Sequence, residues 1–581
     1  MINLSKQELD NIQNMNLNEF INLSSTVCFY YWNTPAFKEF VSQRLYIRLG
    51  TVLPNDVAIL YTSEEYMDDI FAELGYDFLS IYPEIYGLTG KAALESAGIL
   101  RVQERPYLNL TGQGTAIAFI DTGIDYTSPV FKYENNTSKI KYIWDQTISS
   151  TNNTNNNINN FDVNFGTVYT QEDINQALLS NNPKNIVPHT DTVGHGTFLA
   201  SIAAGREYGN FIGAAPDSDI IIVKLKKASN YYRKKFLIPD NQEEAFEATD
   251  IMLGITFALN QAAVLKKPVV ICLGLGSNFG GHNGQNRLEN YISFISSTVG
   301  VSVCTSAGNE SNARHHTDGI LRNTDDIIPI EVRVGETAKS ISVYIWYSGW
   351  DKISFSIKSP TGEIINRIPF FVGTYYEKRL IFEKSLIKIL YHQDGSRFAI
   401  VQIEDVVPGI WEIRLHGDVI IEGKFHAWLP MTGFISPDVE FVSPTPNYTI
   451  VVPSTSEGAT VAGAYNDREK SLYINSSWGP TESSKIATDF VAPGMSVSGY
   501  YPYGIGTMTG TSVSAAITSG AAALFLQWAL VQKNAPATTG NRLRSVLIRG
   551  CTREENRDYP NYQWGFGTLN LIEAFNSLRE D

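Results

Sequence analysis

The chain has 581 residues, 43% hydrophobic and 18% charged, with 45 Lys+Arg against 60 Asp+Glu and a formal net charge of −15. That length suits roughly two to four domains, the apolar fraction excludes disorder along most of the chain, and the acidic balance speaks against nucleic acid or anionic membranes as partners. No uncharged apolar run of about eighteen residues stands out, so no membrane span is expected, and MINLSKQELDNIQN lacks the basic start and apolar core of a secretory signal.

Residues 1–90 read as a small unit of their own. VCFYYW (27–32), VAILYT (57–62) and DFLSIY (77–82) read as strands. PAFKEFVSQRL (35–45) and SEEYMDDIFAEL (63–74) read as helices, the second with a Ser N-cap and acidic residues in its first turn. Strands interleaved with helices in so short a stretch predict an α+β module of the split βαβ kind.

The texture changes at Gly112. TAIAFIDTG (115–123), DIIIVKL (219–225), PVVICLGLG (268–276) and VSVCTSAGN (301–309) are continuous apolar runs. GHGTFLASIAAG (194–205), EEAFEATDIMLGITFALNQAAVL (243–265) and RLENYISFISSTV (287–299) lie between them as helices. Buried strands alternating with helices predict a parallel sheet covered on both faces. Reactive groups in such folds sit at the carboxyl ends of the strands. TNNTNNNINN (151–160) is low-complexity and expected to be an exposed loop.

After residue 316 the pattern becomes all-β. IIPIEVRV, SISVYIWYS, ISFSIKSP, EIINRIPFF, SLIKILYHQ, RFAIVQIEDV, IWEIRLHG and GKFHAWLP are short strands with no helix between them, which predicts a sandwich or jelly roll. YTIVVPS, ATVAGAYN and FVAPG then return to strands of the first type, followed by the long apolar helix SVSAAITSGAAALFLQWALVQ (512–532). The β module therefore reads as an insertion into one α/β domain.

The four cysteines, Cys28, Cys272, Cys304 and Cys551, form no CxxC pair and are expected to be buried, reduced thiols. His315 and His316 with Asp318 have the residue types of a metal site but read as a polar loop pair, and no metal or cofactor is expected.

Three segments carry chemistry. Ile120-Asp121-Thr122-Gly123 ends an apolar strand, where a carboxylate is costly unless hydrogen-bonded or paired. Gly194-His195-Gly196-Thr197 and Gly510-Thr511-Ser512 each open a helix. Singly each is weak, since a lone Gly-Thr-Ser is more often a helix cap. A single Asp-Thr-Gly also fails the two-carboxylate requirement of aspartic proteases. Together, in the order Asp, His, Ser within one parallel-sheet domain, they have the arrangement of a nucleophilic triad. An α/β-hydrolase would run Ser, Asp, His and place Gly, not Ser514, two residues after the serine.

With Ser306-Ala307-Gly308-Asn309, Ser477-Trp478-Gly479-Pro480 and Val491-Ala492-Pro493-Gly494 added, the chain resembles the subtilisin-like serine proteases (subtilases) over roughly 112–315 and 435–581. The resemblance implies Ser512 as nucleophile, His195 as general base and acid, and Asp121 as the group that orients His195. It implies the Asn309 amide and the Ser512 N–H as oxyanion donors. It also implies Gly274-Leu275-Gly276 as the edge that pairs with substrate backbone, with Ser306, Ala307 and Gly308 walling the adjacent pocket.

The overall layout, with ALESAGIL (93–100), RVQERPYLNLTGQG and GTSVSAAITSG (510–520), is similar to the Csp proteases of clostridial spores. The implied organisation is a prodomain (1–92), a subtilase domain in two parts (93–316 and 435–581) and an inserted jelly roll (317–434). The prodomain would act as chaperone and inhibitor, bound in the cleft as first substrate and cut between about Tyr82 and Ala93. The implied function is limited proteolysis of a spore cortex-lytic enzyme precursor during germination, with related pseudoproteases as further partners. The lack of a signal fits a protein made in the cytoplasm and packed in the cortex and coat region. A silent pseudoprotease scaffold and a generic intracellular subtilase are the alternatives. The four intact site residues argue against the first, and the leader and insert against the second.

Ala516 stands where most subtilases have proline, and Phe198 and Leu199 stand where smaller or polar residues are common and read as packing. Lys224, Lys226, Lys227, Arg233, Lys234 and Lys235 cluster near the segment expected to flank the cleft. They read first as a solvated loop and second as a preference for acidic residues upstream of the cut.

Overall fold

The computed structural model describes residues 15, 17, 20, 26–32, 34–52, 57–66, 69–70, 73, 90–105, 107–148, 157–158, 161–162, 165–242, 244–370, 375–394, 396–482, 485–486 and 488–579. The chain divides into two units, Met1–Leu88 and Thr89–Asp581.

The first unit runs β1 (Thr26–Trp32), α1 (Pro35–Ser42), β2 (Arg48–Val52), β3 (Val57–Ser63). Thr34 Oγ1 accepts the Phe37 N–H at 3.2 Å and Pro35 sits at the first position, which starts α1. β3 lies between β1 and β2 and antiparallel to both, so β1 and β2 run parallel with a strand slotted between them, the split βαβ arrangement. Phe37, Ile47, Ala58, Leu60, Tyr66 and Ile70 form its core. The segment expected as a helix over 63–74 opens instead as a 3-10 turn, Glu64–Tyr66. Ser63 is the last residue of β3, paired with Thr26, and so is not free to cap a helix. The strand expected at 77–82 and the cleavage region below residue 90 lie outside the described residues.

The α/β part of the second unit contains β4 (Ala116–Asp121), β5 (Ile140–Asp145), β6 (Thr167–Thr170), α2 (His195–Ala204), β7 (Asp219–Lys224), α3 (Ala248–Leu265) and β8 (Val269–Leu273). It continues with α4 (Arg287–Ser296), β9 (Val301–Ser306), β10 (Thr460–Asn466), β11 (Ser471–Leu472), β12 (Phe490–Pro493) and α5 (Thr511–Leu526). The sheet order is β11-β10-β9-β8-β4-β7-β5-β6, with β12 also beside β10. Pairing is parallel except at the margins, β5 with β6 and β10 with β11.

Strand alternation sorts the core into two layers. Ile117 and Phe119 of β4 and Ile220 and Ile222 of β7 join α2 and α5 on one face. Ala116, Ala118, Ile120, Ile221 and Val223 join α3 and α4 on the other. By length and composition α3 and the stretch Thr511–Val531 could each cross a membrane, contrary to the expectation of no such segment. In the fold both lie against the sheet, the second 89% buried, as core helices of a layered protein do.

Between β9 and β10 the chain builds an all-β sandwich. One sheet orders His316–Ile320, Lys424–Trp428, Ser340–Tyr347, Ser396–Glu404, Leu386–Asp394 and Tyr375–Arg379. The other orders Ile364–Ile368, Lys352–Lys358, Gly409–Val419, Ile327–Val334 and Val439–Phe441. Along Ile327–Val334, Ile330, Val332 and Val334 are buried while Glu331 and Arg333 face solvent, the period-two pattern of a half-buried strand. The sandwich strands begin at His316 and reach Phe441, beyond the expected end at 434, because Val439–Phe441 pairs with residues 332–334. The two ends of the sandwich lie side by side, the Phe441 N–H donating to the Arg314 carbonyl at 3.0 Å, and the Leu429 N–H, just past the strand Lys424–Trp428, donates to the His315 carbonyl at 2.9 Å.

Two smaller readings change, and the one on the described cysteines holds. YTIVVPS is not a ladder strand, because its N–H groups go to loops, Val451 to the Ala307 carbonyl and Val452 to Ser277. Within 151–160, Asn157–Ile158 pairs with Phe161–Asp162, and the rest lies outside the described residues. Cys272, Cys304 and Cys551 are buried free thiols.

Candidate active site

Asp121 is the last residue of β4 and faces, like Ile117 and Phe119, the side that carries α2 and α5. Its carboxylate accepts from His195 Nδ1 at 2.8 and 3.0 Å and from the Thr122 N–H at 2.7 Å. The Asp121 side chain is 3% exposed and that of His195 25%, so the imidazole spans from buried carboxylate to open cleft. Burial disfavours the imidazolium, but the charge and hydrogen bond of Asp121, with a contribution from Asp191, outweigh it and raise the His195 pKa above the usual imidazole value.

Asp191 was not singled out by the sequence analysis, yet it assembles the start of α2. Its Oδ1 accepts the Gly194 N–H (2.8 Å) and Thr122 Oγ1–H (2.9 Å). Its Oδ2 accepts the Thr197 N–H (2.9 Å) and Thr197 Oγ1–H (2.6 Å). Thr122 Oγ1 in turn accepts the Gly196 N–H at 3.0 Å. One buried carboxylate thus caps the helix that carries His195 and ties it to the loop after Asp121. A signal existed: the first N–H groups of a helix need acceptors, and Asp191 is the carboxylate just ahead of them. A second buried pair lies behind it. His189 Nδ1 donates to Asp145 at 2.7 Å and His189 Nε2 accepts the Ile124 N–H at 3.1 Å. Burial holds His189 below the usual imidazole range, and its hydrogen bond outweighs burial to hold Asp145 below the carboxylate range, so the pair is neutral imidazole with carboxylate.

Ser512 is the second residue of α5, and Gly510 precedes the helix without a side-chain cap. Asn309 Oδ1 accepts the Thr511 N–H (3.1 Å) and Thr511 Oγ1–H (3.2 Å). This turns the Asn309 NH₂ group outward. A Cβ on Gly510 would stand 3.5 Å from Asn309 Nδ2 and 3.6 Å from Ser512 Oγ, so amide and hydroxyl converge on one small volume. A Cβ on Gly274 would meet Leu199 Cδ1 at 2.8 Å, His195 Cε1 at 3.1 Å and Ser512 Cβ at 3.2 Å. Gly274 is therefore where the His195 and Ser512 side chains meet, and only glycine fits. Ser512 Oγ has no hydrogen-bond partner among the described residues.

Gly274, Leu275 and Gly276 continue past β8 with no ladder partner among the described residues. Gly274 abuts the triad, whereas Gly276 lies against Val451, whose Cγ2 a Cβ would meet at 2.3 Å. Ser306 ends β9, and its carbonyl accepts Ser454 Oγ–H at 2.6 Å. Ala307 is fully buried, bonded to Ala462 and Val451. Gly308 has φ +106 and packs on Val451 and Ser477. Val451 thus lies between the two segments, against Gly276 on one side and Gly308 on the other.

Other expectations resolve differently. His315 and His316 are buried rather than a polar loop pair: His315 bonds Glu310 at 2.9 Å, and His316 stacks with His426 and Trp428. No group of His, Cys, Asp or Glu placed to hold a metal occurs among the described residues. In the basic cluster, Lys224 donates to the Thr190 carbonyl, Lys226 pairs with Asp250 and Arg233 donates to the Pro239 carbonyl. Those charges serve internal contacts. Phe198 packs on Tyr501, and Ala516 is fully buried in α5.

A family model described as the subtilase family matches residues 112–336 and 440–567, more than half of the chain. The unmatched gap falls within the sandwich. The CspB protease of Clostridium perfringens is 29% identical, with a TM-score of 0.73 over 84% of this chain and 99% of that one. The epidermin leader peptide processing serine protease of Staphylococcus aureus is 13% identical (TM-score 0.40; 96% and 100% covered), and MycP1 of Mycobacterium smegmatis 15% (TM-score 0.38; 83% and 83%). No curated protein matches the chain.

Proposed function

The chain belongs to the subtilase family and is a Csp-like serine protease, and from that premise we propose that Asp121, His195 and Ser512 are its catalytic triad, with Asn309 and the Ser512 N–H as oxyanion donors. The observation that carries the reading is the meeting of His195 and Ser512 around Gly274, with the Asn309 amide held outward by Thr511. Ser512 Oγ attacks the scissile carbonyl. His195 Nε2 takes its proton and passes it to the leaving amine. Asp121 holds Nδ1–H and stabilises the imidazolium. The carbonyl oxygen, as it gains charge, meets Asn309 Nδ2–H and the positive end of α5. Loss of one such donor costs about 10²–10³ in rate. The unpaired segment 274–276 receives substrate as an added strand.

The likeness to the Clostridium perfringens CspB protease supports a finer reading. In it the leader is a propeptide cut first, between about residues 82 and 93, and the target is the precursor of a spore cortex-lytic enzyme, activated by limited proteolysis during germination. Intact mass spectrometry of wild type beside Ser512→Ala tests the first step. Wild type is expected to split in that window while the variant stays whole. If both stay whole and a serine-directed phosphonate labels neither, the triad assignment is wrong. Wild type added to the precursor should make one cut and release lytic activity. Extensive digestion would favour a general degradative role.

A further inference from the structure

Glu310 directly follows Asn309, and its side chain is only 2% exposed. A carboxylate so buried is costly unless several donors meet it. Three do. Oε2 accepts from His315 Nδ1–H at 2.9 Å and Asn278 Nδ2–H at 3.2 Å, and Oε1 accepts the Thr432 backbone N–H at 3.1 Å. The donors come from three different segments. His315 lies in the connection that enters the sandwich, and Thr432 in the loop between its strands Lys424–Trp428 and Val439–Phe441. Asn278 lies two residues beyond the cleft edge 274–276 and also donates to the Leu429 carbonyl at 3.1 Å, in that same loop. The Glu310 N–H donates to Ser477 Oγ at 3.0 Å, and the Ser477 N–H donates to the Gly308 carbonyl at 2.9 Å. One buried carboxylate therefore joins the residue beside the oxyanion amide, the segment that follows the cleft edge, the entering stalk and a loop of the inserted sandwich.

We propose that Glu310 is a positioning residue through which the sandwich sets where the Asn309 amide stands in the cleft. The inference rests on Asn309 as an oxyanion donor. Asn309 is exposed, and its side chain is held from one side only, by Thr511. Its backbone place is fixed by its neighbours: Gly308 through Thr511 Oγ1 at 3.1 Å and Ser477, and Glu310 through the insert. An oxyanion donor acts over a few tenths of an ångström, so freeing the Glu310 side weakens the transition-state contact more than ground-state binding.

The test is a double-mutant cycle on the processed enzyme with a peptide substrate. Glu310→Gln keeps the size but presents an NH₂ to donors that need an acceptor. The expected result is a fall in kcat of about tenfold with KM within about twofold, and no further fall in an Asn309→Ala background. His315→Ala should lower kcat in the same sense, while His315→Asn, whose Nδ2–H stands near the lost Nδ1–H, should restore most of it. That pair keeps the proposal testable if Glu310→Gln does not fold. Losses that add in the Asn309→Ala background, or that appear in KM instead, overturn the positioning role and leave Asn309 intact. An Asn309→Ala enzyme with unchanged kcat overturns the oxyanion assignment itself, and the proposal with it.

Discussion

At His195 two opposing forces meet, and their balance sets the pH response. Burial favours the neutral ring; Asp121 at 2.8 Å and Asp191 favour the charged one and prevail. Catalysis needs the neutral ring as base. Activity should therefore rise with pH through a midpoint above the ordinary imidazole value of about 6.5. The stability linkage has the opposite sense: the pair's contribution is fully present below the unfolded imidazole pKa and is lost as pH rises through the raised folded one. Asp121→Asn should move the acid limb to lower pH and cut kcat by about 10⁴. A pH–rate profile of both proteins checks this, and a limb that stays put removes Asp121 as the cause. Asp121, His195, Ser512 and Asn309 were legible because each lies in a short contiguous motif. The Asp145–His189 pair and Glu310 were not, because most of their partners are remote in sequence and an isolated Asp, Glu or His carries no signature, whereas Asp191 could have been found from the open donors of the helix just after it.

The elements read from the sequence follow the strength of their periodicity. β4, β7, β8 and β9 were legible because a strand covered on both faces is apolar throughout. Val439–Phe441 was missed because three residues carry no pattern and pairing with 332–334 alone makes them a strand. YTIVVPS has strand composition, but its N–H groups are drawn to the Ala307 and Ser277 carbonyls. The start of α2 depends on Asp191, which satisfies two of the helix's early donors and two hydroxyls. Asp191→Asn leaves one acceptor oxygen where two charged ones stood. Hydrogen bonds to charged groups contribute about 1.5–3 kcal/mol each. The variant should lower the unfolding free energy by about that amount, read as a lower denaturant midpoint at an unchanged m-value, and lower activity because His195 travels with the helix. A midpoint that does not shift would mean that α2 is held by packing alone.

At the scale of the whole molecule, the question is what the sandwich does for the protease part into which it is set. Its stalks are adjacent, Arg314 and Phe441 being hydrogen-bonded at 3.0 Å, so residues 316–440 can be removed and the ends rejoined by a short glycine linker. The sandwich is more than an appendage on those stalks. Tyr344 and Phe398 pack edge-on against Phe279, with ring centroids 5.0 and 6.4 Å away, and Trp428 stacks on His282 at 4.2 Å. Phe279 and His282 both belong to the loop that leaves the cleft edge. Excision would bare those rings and strip Glu310 of the Thr432 donor. It would also strip Asn278 of its Leu429 acceptor. Losing a hydrogen bond to a buried charge costs about 1.5–3 kcal/mol, a sizeable share of the ~5–15 kcal/mol that holds a domain together. The excised protein should therefore be nicked within residues 277–285 by a low dose of an unrelated protease that wild type resists, and should lose kcat on a peptide substrate. If resistance is unchanged and only kcat falls, the sandwich positions the cleft without bracing it. If both are unchanged, the contacts at Phe279, His282 and Glu310 contribute neither rigidity nor rate.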